Sequence, residues 1–337
     1  MHSFMALSCP AHDVPLSASH QPADSYRCPK GCVFPFIGGI PRFVPQENYA
    51  ASFGLQWNTF RRTQLDSFTG TSISRDRLER IAGGSLAVFR GKDVLEAGCG
   101  AGRFTEIMLA AGARVFAVDI SSAVAANREN CGGAPGYFVC QADIVRLPLQ
   151  REQFNIVVCL GVIQHTPDPE KTMTALCSHL RPGGTLLIDH YPPNYPTTLS
   201  RRLLRRFLLR RPREYALRFC TSLIGRLWPL HRLMWKVFRA SPLGRVPLLP
   251  KFRSIFLRLS PIVDYHDAYP QLGPDLLKTW ALLDTHDTLT DVFKHLRSRE
   301  QIEAHLSHCG MEGIETALAG NGIEARARKP AGKSRGV

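Results

Sequence analysis

The sequence predicts an α/β fold: an open, mostly parallel, doubly wound sheet with helices on both faces. Three observations carry this expectation. Residues 91–192 alternate short apolar strands with helices, the pattern of repeated βα units. The segment Phe154–Gly161 (F-N-I-V-V-C-L-G) is apolar without alternation, as a strand buried on both faces must be. A glycine-rich turn, Gly98-Cys99-Gly100-Ala101-Gly102, joins the first strand of this region to its first helix, at the sheet edge where such folds bind ligands. With 337 residues, 44% of them hydrophobic and 21% charged, the chain can bury a core; a disulfide-stapled miniature, a disordered chain and a collagen-like repeat are excluded.

Taken in order, the first segment, Ser8 to Pro45, is rich in Pro, Gly and Ser and holds Cys9, His12, Cys28 and Cys32. Two pairs of ligand-type residues on two turns are what a small zinc ribbon needs for a tetrahedral ion, although CxxH with CxxxC departs from the doubled CxxC spacing. A surface turn with incidental thiols is the competing reading. Val33 to Val44 reads as short strands broken at Gly38, Gly39 and Pro41. Asn48 to Ala87 reads as helical in two pieces, with Phe53, Trp57 and Phe60 forming a stripe expected to pack on the next domain.

The βα region then follows as strands Asp93–Ala97, Ala113–Asp119, Gly136–Cys140, Phe154–Gly161 and Thr185–His190. A helix is expected over Arg103–Ala111. Another begins at Asp168 as N-cap, with Pro169 at its first position, and is expected to stop at Pro182-Gly183-Gly184. Helices around Leu276–Leu306 and two terminal strands, Gly313–Thr316 and Gly322–Ala327, complete the reading. The implied parts are 1–47, the zinc-ribbon-like module; 48–90, helices covering a ligand site; 91–192, the core; 193–300, a basic helical substrate or lid region; and 301–337, the last strands and tail.

The net charge of +14 is local. Between Arg201 and Arg258 stand fourteen Arg, two Lys and a single acid, Glu214, while the rest of the chain sums to −1. This describes a patch and not a uniform nucleic-acid coat. Arg201, Arg202, Arg205, Arg206, Arg210 and Arg211 alternate with leucines and Phe207 at helical spacing, and Trp228, Trp235 and Phe238 follow. An anionic membrane face, or a lid packed on the catalytic domain, would each suit that segment. Cys99, Cys140, Cys159 and Cys177 lie singly in apolar runs, as buried free thiols in a reducing compartment do. Met1–Pro10 lacks an apolar signal core, and no stretch reads as a bilayer span, so a cytoplasmic location, with contact at the inner membrane face as an extension, is the expectation.

The chemistry concentrates at three strand ends. The glycine turn lets a backbone approach a ligand, but a dinucleotide fingerprint would need glycine where Arg103 stands. Glu96, two residues before the first glycine, would repel a pyrophosphate and favour a cation such as the sulfonium and ammonium of S-adenosylmethionine. Asp119 at the end of the second strand suits ribose hydroxyls. Asp143 with Ile144, after the third, suits an adenine amino group and ring. For each acid alone, helix capping is the competing role. His165, past the fourth strand, is a candidate base with a reference pKa of ~6.5; a loop-bracing hydrogen bond is its alternative. His190, Tyr191, Asp284, His286 and Asp287 are weaker candidates for an acceptor pocket.

E-A-G-C-G-A-G, V-F-A-V-D-I-S, Q-A-D-I, G-V-I-Q-H-T-P-D-P and L-R-P-G-G-T-L-L-I together resemble the successive motifs of class I S-adenosylmethionine-dependent methyltransferases over residues 91–192. The resemblance implies a Rossmann-like seven-stranded sheet ending in a reversed hairpin at Gly313–Ala327. It implies cofactor contacts at Gly98, Cys99, Gly100, Gly102, Asp119, Ile120, Asp143, Ile144 and the Leu160-Gly161 turn, with Glu96 beside them. The segment Phe53–Phe68 with the cysteine module is similar to N-terminal extensions of bacterial methyltransferases of glycan and secondary-metabolite pathways, in which Gln56 and Trp57 could close over the cofactor. The implied activity is methyl transfer to a hydroxyl, or an amine or carbon, of a small-molecule, glycan or lipid-linked acceptor. A non-catalytic cofactor-binding protein is the alternative, and a nucleic-acid-directed enzyme using the arginines is another. Against the last, Gly161-Val162-Ile163-Gln164 stands where DNA amino-methyltransferases carry their D/N-P-P-Y/W tetrad.

Overall fold

The computed structural model describes residues 5–21, 24–240 and 248–332. The chain divides into two compact units: Met1–Asp66 with Ser72–Tyr195 and Phe293–Val337, and Ser67–Thr71 with Pro196–Val292. The N-terminal strands, the βα region and the terminal strands lie in the first unit, and residues 196–292 in the second.

The first unit opens with a four-stranded antiparallel sheet in order β1 (Ser17–Ser19), β2 (Ser25–Arg27), β3 (Val33–Ile37), β4 (Ile40–Pro41). Helices α1 (Ala51–Thr59), α2 (Asp66–Thr69, straddling the unit boundary) and α3 (Ile73–Ile81) follow, so the stretch expected as two helical pieces is three, with a further 3-10 turn at Leu86–Phe89. The main sheet comprises β5 (Asp93–Ala97), β6 (Arg114–Asp119), β7 (Tyr137–Gln141), β8 (Phe154–Cys159), β9 (Leu180–His190), β10 (Glu312–Ala319) and β11 (Gly322–Arg328). Helices α4 (Thr105–Ala110), α5 (Val124–Cys131) and α6 (Pro169–His179) cross over between its parallel strands.

The strand order is β10-β11-β9-β8-β5-β6-β7, with β9 to β7 parallel and the β10-β11 hairpin antiparallel against β9. This is the doubly wound seven-stranded sheet with a reversed terminal hairpin that the sequence predicts. Chain direction switches on either side of β5, whose neighbours are β6 and β8, and ligands in such sheets bind at that point outside the carboxyl ends. Aromatic and aliphatic cores lie on both faces: Phe116, Phe138 and Phe154 with Leu95 and Val157 on one, and Val94, Val115, Val139 and Met108 on the other.

One local expectation is corrected. The helix begun by Asp168, whose carboxylate accepts from Lys171 N–H, ends at His179, before the Pro-Gly-Gly run; residues 180–184 already belong to β9, where a register shift opposite Phe154 and Ile156 absorbs them. Helix α1 meets the sheet domain through Phe53 and Trp57 of its aromatic stripe and also through Gly54, where any Cβ would lie 2.4 Å from Ser122 Oγ, and through Asn58 Nδ2, which donates to Ser122 O at 3.0 Å. The aromatic side chains are left half-buried.

The second unit is helical. It contains α7 (Leu199–Leu208), α8 (Arg213–Ala240), α9 (Leu248–Leu259) and α10 (Pro274–Thr290), while α11 (Arg299–His308) returns to the first. Arg205 on α7 donates to the buried Asp291 carboxylate at 2.6 Å after α10. Leu199 and Leu203 of α7 are 65% and 62% exposed among arginines. Of the basic segment, residues 241–247 and the Phe238 side chain lie outside the described residues. Among the described residues, no helix is long and apolar enough to cross a membrane.

Candidate cofactor and acceptor site

The turn after β5 needs glycine for backbone reasons. Gly98, Gly100 and Gly102 have φ of +80°, +48° and +102°, conformations that L side chains rarely adopt. A Cβ at Gly98 would come within 2.2 Å of Val162 Cγ2, so the turns after β5 and β8 touch there. At Gly100 the nearest neighbour would be Trp57 Nε1 at 3.5 Å, and at Gly161 nothing lies within 4 Å. The turn after β5 is thus packed against Val162 and Trp57, and the open position is Gly161 in the turn after β8. Cys99 can offer only backbone, since its thiol is buried in the core and burial pushes its pKa well up.

Asp119 faces this turn. Its Oδ2 accepts from Gly100 N–H at 3.0 Å, and its Oδ1 accepts from the Ser121 N–H and hydroxyl at 2.8 and 2.7 Å. Burial raises the carboxyl above its ordinary value and these donors oppose the shift. The following Ile120 is held from outside: its carbonyl accepts from Asn48 Nδ2 and Gln141 Nε2, both at 2.8 Å. Asp143 caps the 3-10 turn Ile144–Arg146 by accepting from Val145 N–H at 3.0 Å, so the capping role weighed for a lone Asp is present here; Ile144 beside it is buried.

Glu96, near the end of β5, is hydrogen-bonded within the core. It is 3% exposed, and its carboxylate accepts from the Thr105 hydroxyl, which in turn accepts from Asn127 Nδ2 at 2.9 Å; Asn127 Oδ1 accepts from Tyr137 OH at 2.8 Å. Burial pushes its pKa up to about 8, the Asp119 charge adding to the rise and Thr105 opposing it. This buried chain braces the glycine turn from beneath. Arg103, at the position where a dinucleotide fold wants glycine, donates to Ser74 Oγ at 2.7 Å and Gln64 Oε1 at 3.2 Å, and so ties the N-terminal segment to the turn.

The Leu160-Gly161 turn rests on a buried ionic network. Gly161 N–H donates to Asp189 Oδ1 at 2.6 Å, Asp189 pairs with Arg77 of α3, and Glu324 of β11 lies 3.8 Å from Arg77 and takes a bidentate pair from Arg80 at 2.7 and 3.0 Å. Nothing in the local sequence marks these residues as partners. Tyr49 is half-buried, and burial first, with the charges of Asp143 and Asp119 adding to it, raises its hydroxyl pKa.

His165 is 7% exposed and its Nδ1 lies 3.2 Å from the Phe293 carbonyl. That bond assigns the proton to Nδ1 and the lone pair to Nε2. Aromatic rings surround the imidazole: Phe53 at 5.3 Å and Tyr191 at 5.4 Å, with Tyr195 stacked on Tyr191 at 3.8 Å and Tyr49 against Phe293 at 5.3 Å. The α1 stripe therefore serves the site, through Phe53 toward His165 and Trp57 toward Gly100, while Gln56 is buried. His190 is buried with Nδ1 3.0 Å from the Tyr191 carbonyl, and burial lowers its pKa. Asp284, His286 and Asp287 are on α10 in the second unit; Tyr265 donates to Asp284, and burial lowers His286 to about 4.

The four N-terminal ligand-type residues do converge: Cys9, Cys28 and Cys32 Sγ lie 3.7, 3.4 and 3.5 Å from His12 Nδ1. Cys99, Cys140, Cys159 and Cys177 are buried free thiols.

Residues 95–188 match the methyltransferase domain family. Among curated proteins, the ubiquinone biosynthesis O-methyltransferase of Coxiella burnetii is 32% identical over 113 residues, covering 33% of this chain and 48% of the relative. That of Aromatoleum aromaticum is 32% identical over 139 residues, covering 40% and 57%. The chain thus spans about half the length of the curated relatives it matches. Among solved structures, the magnesium protoporphyrin IX methyltransferase of Synechocystis with bound S-adenosylhomocysteine aligns over 83% of this chain and 95% of that one, at 14% identity and a TM-score of 0.41.

Proposed function

We propose that this chain is a class I S-adenosylmethionine-dependent methyltransferase that methylates a hydroxyl on a small, flat aromatic acceptor. The carrying observation is the convergence of Asp119 on the Gly98–Gly102 turn, together with the open position at Gly161. That donor set fits the cofactor: carboxylates for ribose and adenine hydrogen bonds, bare backbone, and no guanidinium aimed at a pyrophosphate, since Arg103 is spent on Ser74 and Gln64. S-adenosylmethionine supplies, when bound, a methyl carbon activated by its sulfonium.

The protein's share is alignment and proton removal. Asp119 and Asp143 hold the nucleoside end, Ile120 and Ile144 its ring, and Gly161 leaves room for the rest. Glu96 acts through the turn it braces and not as a direct contact. Tyr191, Tyr195 and Phe53 offer ring faces to a planar acceptor, and His165 Nε2 takes the hydroxyl proton as the oxygen attacks. O-methylation in the curated relatives agrees with this reading. The test is release of S-adenosylhomocysteine from purified protein with a panel of phenols and catechols: turnover with a phenolic acceptor is expected, and cofactor binding without turnover on any acceptor class would favour the non-catalytic alternative.

A second reading concerns the basic helices. Leu199 and Leu203 stand exposed on α7 between Arg202 and Arg206, with Phe207 one turn on, an arrangement that suits the headgroup layer of an anionic membrane.

A further inference from the structure

We propose that Cys9, His12, Cys28 and Cys32 form a Cys3His centre for a single Zn(II) ion, and that this ion holds together the module clamping the edge of the main sheet. The four ligand atoms come from two separate turns, and all lie within 4.8 Å of one another. Sulfurs at 3.4 to 3.7 Å from one imidazole nitrogen match the edges of a tetrahedron with zinc–sulfur bonds of ~2.3 Å and zinc–nitrogen bonds of ~2.0 Å. Three thiolates and one imidazole are a soft, borderline set that selects zinc over magnesium or calcium.

The turns are built for this. Lys30 N–H donates to Cys28 Sγ at 3.3 Å, Gly31 adopts φ +94°, and Gly31 N–H closes on Cys28 O at 2.9 Å. On the other side Asp13 N–H closes on Cys9 O at 2.8 Å, which brings His12 back over Cys9. A disulfide is a poorer account, because pairing any two of the three thiols strands the third beside the imidazole.

The strands tied by this centre are too short to be stable alone: β1 and β2 have three residues each and β4 two. Yet they carry contacts that reach the cofactor edge. Leu7 bridges to Leu149 and Arg42 to Gln141 on the outermost strand β7. Arg42 Nη1 donates to Gln141 Oε1 at 3.0 Å, and the same Gln141 donates to the Ile120 carbonyl. Tyr26 and Phe43 enter the core that contains Phe116 and Phe138. Metal binding energy would therefore act as folding energy for the segment that covers β7 and steadies Ile120.

The test is metal analysis of the full-length protein purified without chelator. One zinc per chain is expected; less than about a tenth of that after incubation with zinc and reductant overturns the proposal. Cobalt exchange should give visible d–d bands of tetrahedral Co(II) with a thiolate charge-transfer band, and an octahedral spectrum would overturn it. H12C, which completes a four-thiolate set, should keep the metal and shift that spectrum, while C28S/C32S should lose the metal. Equal zinc in C28S/C32S and the parent would place the ion elsewhere and reject the assignment. None of these readings depends on methyl transfer, so failure here and failure of the proposed activity are distinguishable.

Discussion

In the proposed mechanism His165 is the base, because its Phe293 hydrogen bond places the proton on Nδ1 and the lone pair on Nε2. H165A should lower kcat by roughly 10²- to 10⁴-fold with little change in the dissociation constant for S-adenosylmethionine; an equal loss of cofactor affinity would instead assign it a bracing role. D119A should do the reverse, weakening cofactor binding by tenfold or more, on the order of the ~1.5–3 kcal/mol of a charged hydrogen bond, as read by calorimetry. Glu96 makes a prediction about pH. Its carboxyl is raised from 4.5 to about 8 in the folded protein, so it favours folding fully only below pH 4.5 and loses that contribution as pH rises through 8. E96Q should therefore flatten the fall in urea stability between pH 5 and 8.5; parallel profiles for parent and variant would show that the buried carboxyl does not titrate there. Glycines and Asp119 are legible in sequence because their offsets from β5 and β6 are local. Tyr49, Arg77 and Asp189 are not, since Arg77 meets Asp189 across 112 positions and Arg80 meets Glu324 across 244.

At the scale of elements, what the sequence misplaces is where one element yields to the next. Strands β5 to β8 are read from apolar runs to within about two residues at each end, as hydrophobic periodicity allows. The start of β9 is not, because the Pro-Gly-Gly run reads as a helix stop while the chain has already turned into the sheet at Leu180. The aromatic stripe of α1 is legible as a packing face, but the close approach at Gly54 is not, because it depends on Ser122 standing opposite. Helix α3 is joined to β9 and β11 by the Arg77 and Arg80 ion pairs as well as by Leu78 and Ile81 in the core. R77M should leave Asp189 without its buried cation and cost about 3–5 kcal/mol in chemical denaturation; a loss under about 1 kcal/mol would mean that Arg80 and the Gly161 amide suffice.

For the molecule as a whole, the segregation of charge is legible from composition, and its consequence is testable. Anionic vesicles should retain the protein at low salt and release it at high salt, and L199S/L203S should weaken retention while the arginines remain; retention unchanged in that variant would reduce the basic segment to non-specific electrostatics. The nature of the acceptor was not legible, because the rings near His165 come from α1, from the segment after β9 and from Phe293, brought together only by the fold. Isothermal titration of the full-length chain with S-adenosylmethionine and, separately, with a nicotinamide dinucleotide tests the central claim most directly. One S-adenosylmethionine site per chain, displaced by S-adenosylhomocysteine and indifferent to the dinucleotide, is the predicted result; uptake of the dinucleotide with no heat from S-adenosylmethionine would contradict it.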